Sequence, residues 1–113
     1  PPPPPPAGGQ QVGYVAETTF SGAQGMITMV VGLDNDYNCT GVYVTKHSET
    51  SGLGAKAADT NEGAWRENLV GQGDGMKLAK DGGDIAAISG ATITSRAVVT
   101  EVQTVINAAK SLG

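Results

Sequence analysis

The alternation of hydrophobic and polar residues predicts three strands in the first half of the chain. Apolar, aromatic and β-branched residues are concentrated in the ranges 12–20, 23–33 and 40–45, and the turn-forming residues of 34–38 separate the second range from the third. Short connections of this kind favour an antiparallel meander. Further along, Trp65 and Leu69 lie four residues apart and predict a short helix over 60–69. We expect two further short strands at 76–79 and 85–88.

The last third of the chain predicts a long amphipathic helix. Its apolar residues recur at helical spacing and form one stripe, which contains Val98, Val102, Val105, Ile106 and Ala109. The residues before the stripe place the start of this helix close to 92–95. Strands followed by a closing helix indicate an α+β fold, with an antiparallel sheet, a short helix and a C-terminal helix.

Composition restricts the classes of function. A chain of 113 residues is long enough for one domain, which we assign to 11–113, and we interpret the Pro/Gly-rich residues 1–10 as a linker or terminal edge. The net charge of −4 argues against a nucleic-acid partner. The single cysteine excludes an internal disulfide and a cysteine-based metal centre. No apolar run spans a membrane, so we expect any membrane attachment to use parts absent from this chain.

The segment 89–95 reads Ser-Gly-Ala-Thr-Ile-Thr-Ser and carries the most distinctive chemistry. Its four hydroxyls and two very small side chains lie just before, or within, the first turn of the predicted helix. The first backbone amides of a helix lack helical acceptors and attract an anion, so the segment could hold a phosphate. Ser and Thr are also the ordinary N-cap residues. The motif taken by itself leaves both interpretations open.

A second segment, 49–54, places a carboxylate, hydroxyls, glycines and a leucine together. Such residues could line a slot for a flat heteroaromatic ring, although their physical chemistry alone favours an ordinary loop. The other candidates are weaker. His47, the only histidine, lacks a nucleophile motif and is interpreted as a surface residue. Trp65 could stack on a ligand but is expected to belong to the core. The residues 34–45 resemble the start of a calcium loop but have Cys39 where glycine is needed and Thr45 where glutamate is needed.

Together with Ala64-Trp65 and the Lys-Asp-Gly-Gly-Asp run at 80–84, these two segments resemble the FMN-binding domain of the bacterial Rnf G and NqrC subunits. In that family FMN is joined through its phosphate to the last threonine of the Ser-Gly-Ala-Thr-x-Thr motif, which corresponds here to Thr94. The resemblance implies a phosphodiester made by a separate flavin transferase that uses FAD. It also implies further contacts for the cofactor from two groups of residues, namely Ser89, Gly90, Ala91, Thr92 and Ser95, and Glu49, Thr50, Gly52, Leu53 and Gly54.

Two positions depart from the family pattern. Ser51 replaces a proline that the family commonly has in its Glu-Thr-Pro-Gly-Leu-Gly loop, and Ala86 stands where relatives often have aspartate, three residues before the Ser-Gly-Ala motif. We expect the loop contact with the flavin and the efficiency of flavin attachment to depend on these two residues.

The function that the resemblance implies is electron transfer by a covalently flavinylated domain. The expected setting is an ion-translocating complex of the Rnf or Nqr type, on the extracytoplasmic (periplasmic) face of the membrane, with the other subunits as partners. The domain is expected to carry electrons rather than to turn over a substrate, and no metal site is expected. Two alternatives stay open at this point, a stand-alone secreted flavinylated reductase and a flavin-free structural domain.

Overall fold

The computed structural model describes residues 13–48 and 64–112. Its first half is a three-stranded antiparallel sheet in the order β1-β2-β3, formed by Gly13–Ser21, Met26–Asp34 and Cys39–Lys46. The predicted meander is confirmed, with each strand within a few residues of its predicted range. The Pro/Gly-rich residues 1–10 lie outside the described residues.

One face of the sheet forms the core, as the two-residue period of the strands requires. In β2 every second residue is buried, and these residues are Ile27, Met29, Val31 and Leu33. On the opposite face Val15 and Tyr43 are more than half exposed. Within residues 13–48 and 64–112, the sheet is therefore covered on one face.

The predicted turn at 34–38 is stabilised by its own aspartate. The Asp34 carboxylate accepts hydrogen bonds from the backbone N–H groups of Asp36 and Asn38, both at 2.9 Å. Tyr37 takes a left-handed conformation, with φ of 65°. The amide of Asn38 is the main cause that holds the pKa of Asp34 below its ordinary value. This carboxylate therefore serves the turn between β2 and β3.

After residue 64 the chain forms the 3₁₀ helix Trp65–Leu69, a second 3₁₀ turn Ala79–Asp81 and the long helix α1, Thr92–Leu112. The prediction of two short strands at 76–79 and 85–88 is wrong. In these described residues a single parallel bridge joins Leu78 to Ile85, and no strand forms around it. Parallel strands need a connection of about a dozen residues or more, and this one is much shorter. A tight loop forms instead, in which a Cβ atom on Gly83 would lie 2.0 Å from the Lys77 carbonyl oxygen.

Helix α1 packs its predicted apolar stripe against the inner face of the sheet. Val98, Val102, Ile106 and Ala109 are at most 5% exposed and belong to one core with the buried residues of β2. Across residues 13–48 and 64–112, no helix has both the length and the apolar character needed to cross a bilayer. The same two ranges contain no group of three His, Cys, Asp or Glu residues arranged to bind a metal ion.

Candidate functional site

A tight turn leads the chain into helix α1. The Ala91 N–H donates to the Ile88 carbonyl oxygen at 2.9 Å, and Gly90 between them has φ of 76°. A positive φ at the third residue of a hydrogen-bonded turn is the mark of a type II turn, and it favours glycine strongly. The glycine of the motif is therefore required by the backbone. Ser89 and Gly90 are exposed at the tip of this turn.

Ser95 joins the turn to the helix through buried hydrogen bonds. Its hydroxyl is fully buried, donates to the Ala91 carbonyl oxygen at 2.8 Å and accepts from the Ile88 N–H at 2.9 Å. A hydroxyl has one hydrogen, so a phosphate oxygen could take it only by displacing Ala91. In the structure Ser95 therefore positions the turn before α1, while its predicted contact with the cofactor stays a prediction.

Thr94 is the first residue of the buried stripe of α1. It precedes Val98 by one helical turn and is 1% exposed, whereas the adjacent Ile93 is 66% exposed. Among the described residues, Thr94 and Ser95 are the two buried polar ones. The Thr94 hydroxyl therefore lies on the side of the helix that faces the rest of the domain, within the turn where the helix dipole leaves partial positive charge.

Trp65 binds the backbone just before this turn. Its indole Nε1–H donates to the Ala86 carbonyl oxygen at 2.7 Å. The ring is partly buried and packs against the core, as predicted. Ala86 and Ile88 are thus bound on their backbone by Trp65 and Ser95, just ahead of the exposed turn. The sequence contained both side chains but no signal for these contacts, because the partners are backbone atoms.

An ion pair fixes the outer side of the helix start. The Arg96 guanidinium binds the Asp81 carboxylate through two hydrogen bonds, at 2.8 and 3.0 Å. These hydrogen bonds are the main reason that the pKa of Asp81 is held below its ordinary value and that the pKa of Arg96 is raised. The pair connects the Lys-Asp-Gly-Gly-Asp loop to α1, so two segments of the sequence motif meet in the fold.

The predicted site residues divide into two groups. The first is continuous across the turn and the first helical turn, and it consists of Ser89, Gly90, Ala91, Thr92, Thr94 and Ser95. The second lies outside the described residues, and it consists of Glu49, Thr50, Gly52, Leu53 and Gly54, together with Ser51. His47 is exposed immediately after β3.

The first group fits an esterified phosphate. A helix start supplies amides and positive partial charge, the left-handed Gly90 carries no side chain over the backbone, and Thr94 supplies an alcohol oxygen. No cationic side chain is needed for a phosphodiester, which keeps a single negative charge. The donor set of these residues is therefore appropriate for FMN bound through its phosphate.

Comparison with known proteins agrees with this chemistry. The family model of the FMN-binding domain matches residues 22–107, which include β2, β3 and most of α1. The G subunit of the ion-translocating oxidoreductase complex of Methanosarcina acetivorans is 47% identical over 90 residues, covering 78% of this chain and 46% of the relative. The G subunit of the Na⁺-translocating ferredoxin:NAD⁺ oxidoreductase complex of Acetobacterium woodii is 36% identical over 109 residues, covering 89% of this chain and 51% of the relative.

The fold is also similar to a solved structure. The crystal structure of Shewanella oneidensis NqrC aligns with a TM-score of 0.63 and 25% identity, over 89% of this chain and 52% of that one. This chain spans about half the length of the curated relatives that it matches. Because the family model covers well over half of the chain, the protein belongs to the FMN-binding domain family.

Proposed function

We propose that this chain is an electron-carrying flavin domain with FMN joined by a phosphodiester to Thr94. The observation that carries the proposal is the place of the Thr94 hydroxyl in the first turn of α1, directly after a turn whose Ile88 N–H is bound by Ser95, in a chain of the FMN-binding family. The bound flavin would supply reversible one- and two-electron redox chemistry.

The residues at the start of α1 have separate tasks in this proposal. The amides of the first turn stabilise the phosphate charge, an effect of about 0.3–1 kcal/mol for an anion at a helix N-terminus. The hydroxyls of Ser89 and Thr92 donate to phosphate or ribityl oxygens, and Gly90 and Ala91 leave room for the cofactor. Ser95 holds the geometry. The loop containing Glu49, Thr50, Gly52, Leu53 and Gly54 lies against the isoalloxazine ring.

The proposed setting is a membrane-bound, ion-translocating complex of the Rnf or Nqr type. The supporting observation is that relatives of this chain are G subunits of such complexes. Partners are the other subunits, and a flavin transferase acts during maturation. In this proposal the domain lies on the extracytoplasmic side of the membrane. A covalent link suits a carrier that must keep its flavin between encounters.

The test is coexpression with a flavin transferase, followed by in-gel fluorescence after denaturation and intact mass. Wild type should gain the mass of one FMN less one water. Thr94→Val keeps the shape of the side chain but removes the alcohol, so the covalent band should disappear. Thr100→Val is the matched control, since Thr100 is exposed on the same helix outside the motif, and this variant should remain flavinylated.

The outcomes separate the alternatives. A persistent fluorescent band in Thr94→Val would refute the assignment of the attachment site. A wild-type chain that acquires no flavin mass, with an active transferase demonstrated on a known substrate, would favour a flavin-free structural domain. Copurification of the flavinylated protein with membrane subunits from the native host distinguishes a member of a complex from a stand-alone secreted carrier.

A further inference from the structure

The residue proposed to carry the flavin is closed off from solvent. Thr94 is 1% exposed, and Ser95 beside it is fully buried. Helical spacing places Thr94 on the same stripe as Val98, four residues further on, which belongs to the core. The hydroxyl that the proposed function esterifies therefore faces the interior of the domain. The inference that follows rests on that function and concerns access to this hydroxyl.

Ester formation needs more room at the Thr94 hydroxyl than the folded chain leaves. In the transfer that the family resemblance implies, the Thr94 oxygen bonds to the phosphorus that carries the ribityl chain of FAD. The pyrophosphate bond from that phosphorus to the adenylate breaks, and AMP leaves with the proton of the hydroxyl. The attacking and leaving oxygens lie roughly in line. A dinucleotide held by an enzyme must therefore reach an atom that solvent barely reaches.

The described bonds that hold the first turn of α1 converge on Ser95. A helical hydrogen bond runs from the Ser95 N–H to the Ala91 carbonyl oxygen at 3.0 Å. The Ser95 hydroxyl adds its two buried bonds, to Ala91 and Ile88. The next residue, Arg96, is held separately by its ion pair with Asp81. Release of Ser95 would therefore free the turn and the start of the helix while Arg96 stays in place.

Opening this turn exposes little apolar surface. Ile93, the large apolar side chain of the first helical turn, is already 66% exposed in the folded structure. Thr94 and Ser95 are small and polar. Hydrophobic stabilisation scales with the apolar area removed from water, so unwinding 92–95 sacrifices little of it. Segments with few buried apolar contacts are the ones that open while the rest of a domain stays folded.

We propose that the flavin transferase modifies a locally opened form of this domain, in which residues 89–95 leave the core. Ser95 is the latch of this segment, because its release from Ile88 and Ala91 opens it. The sheet and the remainder of α1 stay folded. The rate of flavin attachment then follows the population of the opened form, which the bonds of Ser95 control.

The first test needs no flavin. Thr94→Cys places a thiol at the buried position, iodoacetamide labels it only when it becomes exposed, and peptide masses separate this site from the native Cys39. Adding Ser95→Ala should speed labelling at position 94 about tenfold, because the substitution destabilises only the closed form. Ser111→Ala is the matched control, since Ser111 is exposed on the same helix, and should leave the labelling rate unchanged.

Two further measurements separate local opening from unfolding of the whole domain. Val31→Ala creates a cavity in the fully buried centre of β2 and lowers global stability, but it should leave labelling at position 94 unchanged. In the wild type, hydrogen exchange should be about tenfold faster, or more, at the Ile88 N–H than at the amides of β2, the central strand.

The second test measures the initial rate of flavin attachment with purified transferase and FAD. Ser95→Ala should raise this rate several-fold, whereas Ser111→Ala and Val31→Ala should match wild type. Failure of the proposed function gives a different result, namely flavin that still attaches to Thr94→Val. Failure of the present inference leaves flavin on Thr94 and a rate that Ser95→Ala does not raise.

Three results would overturn the inference. One is a Ser95→Ala protein that is labelled, or flavinylated, no faster than wild type. Another is equal acceleration of labelling by Val31→Ala, which would mean that access requires unfolding of the whole domain. The third is faster labelling in Leu53→Ala but not in Ser95→Ala, because the cover of Thr94 would then belong to the segment 49–54.

Discussion

The two ends of helix α1 are attached to the domain by different means. At the N-terminal end, besides the exposed ion pair of Arg96 with Asp81, buried hydrogen bonds join the Ser95 side chain to the backbone at the two ends of the turn. Toward the C-terminal end the hydrogen bonds to the preceding loop are all exposed, and one of them joins the Gly75 N–H to the Gln103 side chain at 2.6 Å. There the Asp74 carboxylate accepts from Gln103 and from Lys110, each at 2.7 Å.

The buried bonds of Ser95 fix the geometry of the candidate site at the start of α1. The exposed bonds of Asp74 only hold the loop at that residue near the second half of the helix. A buried backbone amide that loses its acceptor costs the full desolvation of the group, whereas an exposed ion pair contributes little. The candidate attachment residue Thr94 lies at the end held by buried bonds. The opposite end, around Leu112, lies beside residues 14–18 of β1 instead.

The largest expected effect is that of Ser95→Ala. It leaves the buried Ile88 N–H without its acceptor, while the Ala91 carbonyl keeps only the hydrogen bond from the backbone N–H of residue 95, so the free energy of unfolding should fall by about 1–3 kcal/mol. Ser111→Ala is the matched control, since Ser111 donates to Ala108 at 2.8 Å on an exposed part of the same helix. Its effect should stay within about 0.5 kcal/mol. Urea denaturation measures both, and equal losses would contradict the distinction between the two ends.

A smaller effect is expected for Gly90→Ala. The φ of 76° at Gly90 is left-handed, and an L-residue there costs roughly 1–2 kcal/mol. Gly41→Ala serves as the control, because its Cβ would lie 3.7 Å from the nearest ring atom of Tyr43, an ordinary contact. Thermal denaturation compares the two variants. A Gly90→Ala protein as stable as wild type would show that the turn does not need its left-handed residue.

The smallest effect at neutral pH is expected for the exposed ion pairs. Hydrogen bonds from Lys110 and from Arg96 are the main causes that lower the pKa of Asp74 and of Asp81. A carboxyl with a lowered folded pKa stabilises the fold above its unfolded pKa of about 3.9, and this stabilisation is lost as the pH falls through the folded value.

The double variant Asp74→Asn, Asp81→Asn should therefore differ little from wild type at pH 7, and the difference should vanish in acid. Urea midpoints measured from pH 7 down to about 2.5 test this expectation. Asp84→Asn removes a nearby exposed carboxylate that forms no ion pair in the described residues, and serves as the control for loss of charge. A difference that grows in acid would contradict the expected direction of the pH dependence.

Much of the fold could be predicted because its signals are local. The two-residue period of β2 and the helical period of α1 recur within each segment, so both elements were recognisable without a partner. The prediction of strands at 76–79 and 85–88 was wrong, since a short apolar run does not show whether another strand can pair with it. Their connection is too short for a parallel ladder, and the close approach at Gly83 closes a loop instead.

The candidate site divides in the same way. The sequence placed Ser89, Gly90 and Thr94 at a helix start, because the stripe that follows fixes where the helix begins. It gave no reason to expect different hydrogen-bond partners for Thr94 and Ser95, since the two residues are adjacent and both carry a hydroxyl. Their separate environments follow from contacts with Ile88 and Ala91 that exist only when the turn has folded back onto the helix.

By itself, then, the sequence determined the order of strands and helix, the family resemblance and the position of the hydroxyl-rich motif. These depend on residue type and spacing along the chain. Only the tertiary structure decided which hydroxyls are buried, which one supports the backbone, and that Gly71 and Gln72 bond to the outer edge of β3. Each of these depends on groups that become neighbours only when the chain has folded, and many of the partners are backbone groups that look alike at every position.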